Sequence, residues 1–376
     1  MRFNGGEDQA EGLRRLLVFN QTQVITVVAG KAGVGRTSAT LNLAAALARS
    51  GKDVLVLDEN HPPNNLQDCL GLFARYDLLD VARGKCRPCD AVLTGMDFNI
   101  LPVARAVGAL AASRLFAGAE HVNGYPESLA LPLRRELNTA SFTCAKLDRA
   151  EQQRLESALT EVSDGVDVML VDATMLIGQA AAQGRGASNA GGASHQHPAS
   201  GRAEWKSPTD AHPENGYSAA ASSGWAKGSV LLVVVEASPS GITESYALIK
   251  RFALENTRQQ FKIVVNKAGS EKVAMTAYEN MAKVARRNLS VHLEYLGCIP
   301  FDDRLRCSTQ LGKSVVEAFP TAISAKSYLK LTQKLLYLPM RQDEADDGAS
   351  AIIQSLVRHG LQPTVRTQCC EASGAG

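Results

Sequence analysis

The chain has no run of about 18 apolar residues, the length a helix needs to cross a bilayer, so no transmembrane helix is expected. The stretch Met1–Leu17 mixes Gly, Glu, Asp, Gln and Arg and lacks the apolar core of a signal peptide, so the expected compartment is the cytoplasm. Aromatic residues make up only 5% of the chain, too few for a surface that stacks single-stranded bases. An excess of charge is missing too: 40 Lys+Arg against 38 Asp+Glu leaves +2. No global basic field points to nucleic acid, and no direct nucleic-acid contact is expected. Eight cysteines in 376 residues are too sparse for a disulfide scaffold. Cys86 and Cys89 form a lone CxxC with no second pair at metal-ligand spacing, and read as incidental thiols beside a turn at Arg87-Pro88.

What is present is an alternation. Val24–Val28 is a continuous β-branched apolar run, the pattern of a strand buried on both faces of a parallel sheet. A glycine-rich turn follows, then a helical stretch through Leu41, Ala44, Ala45 and Ala48 that Gly51 closes. Further strands are expected at Val54–Leu57, Phe98–Leu101, Val168–Val171, Val230–Val235, Ile263–Val265 and Leu293–Ile299. Helices are expected at 147–162, 243–257, 271–287 and 323–337. Such alternation predicts an α/β fold with a mostly parallel twisted sheet and helices on both faces.

Two segments break the pattern. Gly178–Ser229 contains no Ile, Leu, Val, Met or Phe, and is expected to be a disordered insertion because it cannot bury enough apolar surface to offset its ordering entropy. A second, irregular insertion is expected at about 112–143. The chain then divides into an N-terminal segment 1–20, a main domain 21–340 carrying both insertions, and a tail 341–376.

The turn after the first strand reads Gly30-Lys31-Ala32-Gly33-Val34-Gly35-Arg36-Thr37-Ser38. It matches the phosphate-cradling pattern G-x-x-x-x-G-K-[ST] at Gly30, Gly35 and Thr37, with Arg36 in place of Lys. Glycines let successive backbone N–H groups point inward, and the following helix offers its positive end. Thr37 supplies a hydroxyl suited to Mg²⁺.

With its early lysine, Lys31–Thr37 resembles the deviant phosphate loop K-G-G-V-G-K-T of the MinD/ParA-type ATPases. The rest follows in order: Val54–Asn60 resembles the strand ending in D-x-D, Val168–Asp172 the strand with the Mg²⁺-associated aspartate, Asn266-Lys267 the adenine-contacting N-[KR] pair, and Ile299–Asp302 the proline loop beside the base. The resemblance implies a single P-loop domain binding ATP and Mg²⁺. It places Lys31, Arg36, Asp58, Asn60 and Asp172 in the catalytic set, and Thr37, Asp58 and Asp172 at the metal. It places Gly30 to Ser38, with Asn266 and Pro300, around the nucleotide. Lys31 would reach across an ATP-dependent homodimer.

Asp8-Gln9-Ala10-Glu11-Gly12-Leu13-Arg14-Arg15 resembles the N-terminal D-Q-A-x-x-L-R segment of the FlhG/FleN flagellar-number regulators. Asp8, Gln9, Ala10, Leu13 and Arg14 would then act on an FlhF-type GTPase. A flagellar transcription activator or switch-complex proteins are further partners that the resemblance implies.

The departures from the family all touch hydrolysis. Arg36 replaces the loop lysine, Ala32 a glycine, and Asn60 the second aspartate, so no carboxylate there can orient a water. Ala173-Thr174-Met175-Leu176 lacks the Pro/Gly switch segment. Losing a positioned acid/base group costs about 10²–10⁴ in rate, so hydrolysis is expected to be weak or lost. The alternatives are a pseudo-ATPase scaffold that binds no nucleotide, and a competent ParA-type positioning ATPase. Ala351–His359, with Ile352/Leu356 and Ile353/Val357 as i,i+4 pairs, is a short amphipathic candidate for weak contact with the inner membrane face.

Overall fold

Gln23–Val28 (β1) sits at the centre of the molecule because its successive residues face two different apolar layers. Val24 and Val28 join one buried cluster, Ile25 and Val27 the other. That two-sided burial is what a continuous β-branched run supports. The computed structural model describes residues 22–94, 97–117, 147–174, 229–255 and 258–338.

Seven strands form one sheet in the order β3-β2-β4-β1-β5-β6-β7, every pairing parallel. They are β1, Val54–Asp58 (β2), Asn99–Pro102 (β3), Val168–Asp172 (β4), Val230–Glu236 (β5), Gln260–Ala268 (β6) and His292–Pro300 (β7). Each lies at one of the seven apolar runs in the sequence. One face is covered by Arg36–Arg49 (α1) and Ile323–Leu336 (α11), whose Leu41, Leu43, Leu47, Tyr328, Leu331 and Leu335 are buried in a shared cluster. The opposite face is covered by Arg149–Ser163 (α6), Pro239–Glu255 (α7) and Glu271–Asn288 (α8) through Leu155, Leu159, Ile249, Phe252, Met281 and Ala285. The fold is therefore a single α/β domain with helices on both faces.

The connections hold elements too short for periodicity to announce. Leu66–Leu70 (α2), Leu78–Ala82 (α3), Pro88–Ala91 (α4), Asp303–Gln310 (α9) and Val315–Ala318 (α10) are helices of four to eight residues. Side-chain caps from Asn65, Asp77, Asp302 and Ser314 start four of them. Ala104–Ala117 (α5) runs past Ala112, where an irregular insertion was expected to begin; its apolar start, Ala106, Val107, Ala109 and Leu110, packs into the core and carries the helix onward. Of that insertion, 118–143 lies outside the described residues, as does Gly178–Gly228 of the second; Ser229 is fully buried and bonds to Thr26. Among the described residues no helix is long and apolar enough to cross a membrane.

Strand register sets up the site. Asp58 stands beside Asp172, Val27 beside the same Asp172, and Glu236 beside Asn266. All are at the carboxyl ends of their strands. The chain leaves β1 for α1 on one face and the adjacent β5 for α7 on the other, and in open α/β sheets ligands bind at such a switch point.

Candidate functional site

The loop after β1 adopts the conformation its glycines permit. Gly33 and Gly35 have φ of 77° and 94°, left-handed values that a side chain disfavours. Gly30 is required for a different reason: a Cβ there would lie 2.4 Å from the backbone C and O of Glu244 in α7. Ala32, the departure from glycine, is exposed and carries no positive φ, so its methyl group is accommodated. Gly35 caps α1 without any side-chain bond, and no acidic residue occupies the first turn. The N–H groups of that turn, near Thr37 and Ser38, therefore keep their positive end available for an anion. These residues fit the phosphate tail of a nucleotide.

At the ends of β2 and β4 two carboxylates share one buried space, with Asp58 1% and Asp172 0% exposed. Burial, then the neighbouring Asp172, push the Asp58 carboxyl up to about 6. Every oxygen of the pair is engaged from within the chain. Asp58 Oδ2 accepts from the Leu66 N–H at 2.6 Å, and Oδ1 from the Asn60 N–H at 3.0 Å and Asn60 Nδ2 at 2.7 Å. Asp172 Oδ2 accepts from Asn60 Nδ2 at 2.6 Å, and Oδ1 from Arg36 Nε at 2.7 Å and Thr40 Oγ1 at 3.3 Å.

Arg36 is the cation of this cluster. Besides Asp172, its Nη1 donates to the Ala173 carbonyl at 2.6 Å and its Nη2 to Asn60 Oδ1. The guanidinium thus turns toward β2 and β4 with three nitrogens committed. Thr174 is tied into the same network: its N–H donates to Glu59 Oε2 at 2.8 Å and its hydroxyl to Asn60 Oδ1 at 3.0 Å. Glu59, which strand alternation sets apart from Asp58, holds the residues after β4 and not the carboxylate pair. Of the Mg²⁺ assignment to Thr37, Asp58 and Asp172, the two aspartates do not fit as they stand, because their carboxylate oxygens already face N–H and O–H donors and a guanidinium.

On the other side of the loop, Lys31 Nζ lies 3.0 Å from Glu236 Oε2 and donates to Ser240 Oγ at 3.0 Å. Lys267 Nζ lies 3.6 Å from Glu236 Oε1 and donates to the Gly33 carbonyl at 2.6 Å. The hydrogen bond from Lys31 and the charge of Lys267 hold the Glu236 carboxyl below the usual range. Asn266 is 3% exposed; its Nδ2 donates to the Val34 carbonyl at 2.7 Å and its Oδ1 accepts the Lys267 N–H. Its carboxamide therefore braces the loop from below, and Gly35 leaves it room: a Cβ there would sit 2.5 Å from Nδ2. Lys267 has φ 55° at a register shift between β6 and β7, a strained backbone of the kind that clusters at functional sites. Pro300 closes β7, in register with Ala268, and the exposed Phe301 follows it.

The structure brings together two groups of sequence candidates, Arg36 with Asp58, Asn60 and Asp172, and the 30–38 loop with Lys31 and Asn266. Pro300 stands at the end of β7, with β5 and β6 between it and β1. Asp8, Gln9, Ala10, Leu13 and Arg14 lie outside the described residues, as do 351–359. Glu236, Thr40 and Thr174 were missed as site residues; the chemistry of Glu236 shows only once strand order places β5 beside β1. Cys86 and Cys89 are free thiols.

A glycine loop joining a central parallel strand to an uncapped helix, with paired aspartates at neighbouring strand ends, defines a P-loop nucleotide-binding protein. The chain belongs to the CobQ/CobB/MinD/ParA nucleotide binding domain family, which matches residues 25–315. It is 26% identical to antiactivator FleN of Pseudomonas aeruginosa over 329 residues, covering 87% of this chain and 91% of that protein. It is 46% identical to septum site-determining protein MinD of Synechocystis over 66 residues, covering 17% of this chain and only 25% of that one. Among solved structures, the MinD cell division protein of Aquifex aeolicus superposes with a TM-score of 0.50 at 22% identity, covering 85% of this chain and all of that one.

Proposed function

We propose that this chain is a MinD-like, ATP-binding regulator of flagellar number or placement that acts as a nucleotide-dependent switch on an FlhF-type GTPase, with weak or lost ATP hydrolysis. The observation that carries the nucleotide reading is the Gly30–Ser38 loop, with left-handed Gly33 and Gly35 leading into an uncapped helix. The flagellar reading rests on Asp8–Arg15 and on the likeness to FleN along most of both chains. Weak hydrolysis follows from Asn60, which offers no carboxylate to a water and spends both ends of its carboxamide on Asp58, Asp172, Arg36 and Thr174.

The protein would work in the cytoplasm and touch the inner membrane face through 351–359. A flagellar transcription activator or switch-complex proteins complete its set of partners. GTP turnover by an FlhF-type GTPase, measured with the full chain and with one lacking residues 1–20, tests the switch role. Stimulation by the full chain alone supports it, and equal rates from both overturn it. Co-sedimentation with anionic vesicles, compared with a chain ending at Met340, tests the membrane contact; equal binding removes it. The commitment of Arg36 to β2 and β4 also favours a second reading, a scaffold that binds no nucleotide.

A further inference from the structure

Two buried aspartates side by side need a counter-charge, because burying unpaired carboxylates costs far more than a protein's net stability. In P-loop proteins a divalent ion held by carboxylates and phosphate oxygens meets that need. Here the counter-charge is part of the chain. Arg36 Nε lies 2.7 Å from Asp172 Oδ1, and the Arg36 and Asp172 side chains are 17% and 0% exposed. Its other two nitrogens reach the Ala173 carbonyl and Asn60 Oδ1, so one planar group spans acceptors at the ends of two neighbouring strands. A guanidinium is permanently charged and presents donors in a fixed fork; a lysine ammonium, as a single point, could not span these acceptors.

Asn60 completes the arrangement. Its NH₂ donates to both carboxylates, and its oxygen accepts from Arg36 and Thr174. An aspartate at 60 could only accept, and would add a third negative charge. The remaining Asp58 oxygen is taken by the Leu66 N–H. The pair thus has one of its two charges balanced by Arg36, and every carboxylate oxygen is hydrogen-bonded before any ligand arrives.

We propose that Arg36 is the resident cation of the Asp58–Asp172 pair, and that this chain binds its nucleoside triphosphate without recruiting a divalent ion to those carboxylates. The inference deepens the nucleotide reading above and rests on it. The phosphate tail is held by the loop N–H groups and the start of α1. Arg36 holds Ala173, and Asn60 holds Thr174, whether or not a metal is in solution.

The test is the dissociation constant of a fluorescent ATP analogue for the full wild-type chain, in Mg²⁺ and in EDTA, beside Arg36→Lys. The proposal expects wild-type affinity to agree within about twofold between the two buffers. Arg36→Lys uncovers Asp172, so its affinity should be about tenfold or more higher in Mg²⁺ than in EDTA. Wild-type binding about tenfold or more weaker in EDTA overturns the proposal and leaves the nucleotide reading standing. Binding in neither buffer removes the nucleotide reading and this inference together. The wild-type comparison decides even if the lysine variant fails to fold.

Discussion

Arg36 donates from Nη2 to the carboxamide oxygen of Asn60, so two residues that depart from the MinD-like pattern are bonded to each other. Each explains the other. The arginine needs a neutral acceptor between two carboxylates, and the asparagine needs a donor for the oxygen it turns away from them. Taken singly, each reads as decay of an ATPase. Taken together they form a closed network that also fixes Ala173 and Thr174.

Coupling between the two follows directly. Arg36→Lys removes two of three guanidinium contacts, and Asn60→Asp places a third carboxylate beside Asp58 and Asp172. Each single variant should lose about 2 kcal/mol of unfolding stability. The double variant pairs a lysine with the new acid and should lose at least about 1 kcal/mol less than the sum. It should also release phosphate from ATP faster than the wild type. Urea titration and steady-state phosphate assays check both; strict additivity would show that the pair does not act as a unit.

The raised Asp58 carboxyl gives a pH dependence whose sign is opposite to that of a salt-bridged acid. The folded protein holds the Asp58 proton up to about pH 6, whereas the unfolded chain releases it near 3.8. Between those values the unfolded state binds fewer protons, so the Asp58 contribution to stability is fully present below 3.8 and is lost as pH rises through 6. The stability of wild type relative to Asp58→Asn should fall by about 3 kcal/mol across that window and stay flat above pH 7. Denaturation at a series of pH values measures it, and a difference that rises with pH contradicts the assignment.

Gly30→Ala is expected to cost roughly 3 kcal/mol, because the new Cβ would meet backbone and not a movable side chain. Ala32→Gly, at an exposed position without unusual backbone angles, should change stability by less than about 1 kcal/mol. Thermal melts of the two variants side by side provide the comparison; similar losses would mean the loop does not pack against α7 as described.

Lys31 is held within its own chain by Glu236 and Ser240. To serve a nucleotide across a dimer it must leave them. A partly exposed ion pair of this kind is worth about 0.2–1 kcal/mol. Glu236→Gln should therefore lower the ATP concentration that half-saturates dimer formation by about 1.4- to fivefold. Lys31→Ala should remain monomeric. Light scattering with and without ATP reads both, and a wild type that is monomeric under both conditions leaves Lys31 without a role across the interface.

The sheet was legible because its strands are buried on both faces, which writes continuous apolar runs into the sequence, as at Val24–Val28 and Val230–Val235. The loop was legible because its glycine spacing is dictated by backbone angles. The short helices were not, since four or five residues carry no period and their caps are single side chains such as Asn65 and Ser314. Nor was the direction of Arg36, whose acceptors on β2 and β4 are far away in sequence and meet it only through parallel register. Asn266 was legible as a site residue, but its bonds to Val34 and Lys267 depend on a bulge that composition does not reveal.

Calorimetric titration of the full chain with ATP tests the central claim, that the turn between β1 and α1 grips a nucleoside triphosphate. The account predicts one saturable site per chain, lost in Gly35→Ala, whose methyl group would collide with Asn266 Nδ2. A flat titration of the wild type, or binding that Gly35→Ala leaves untouched, would contradict it.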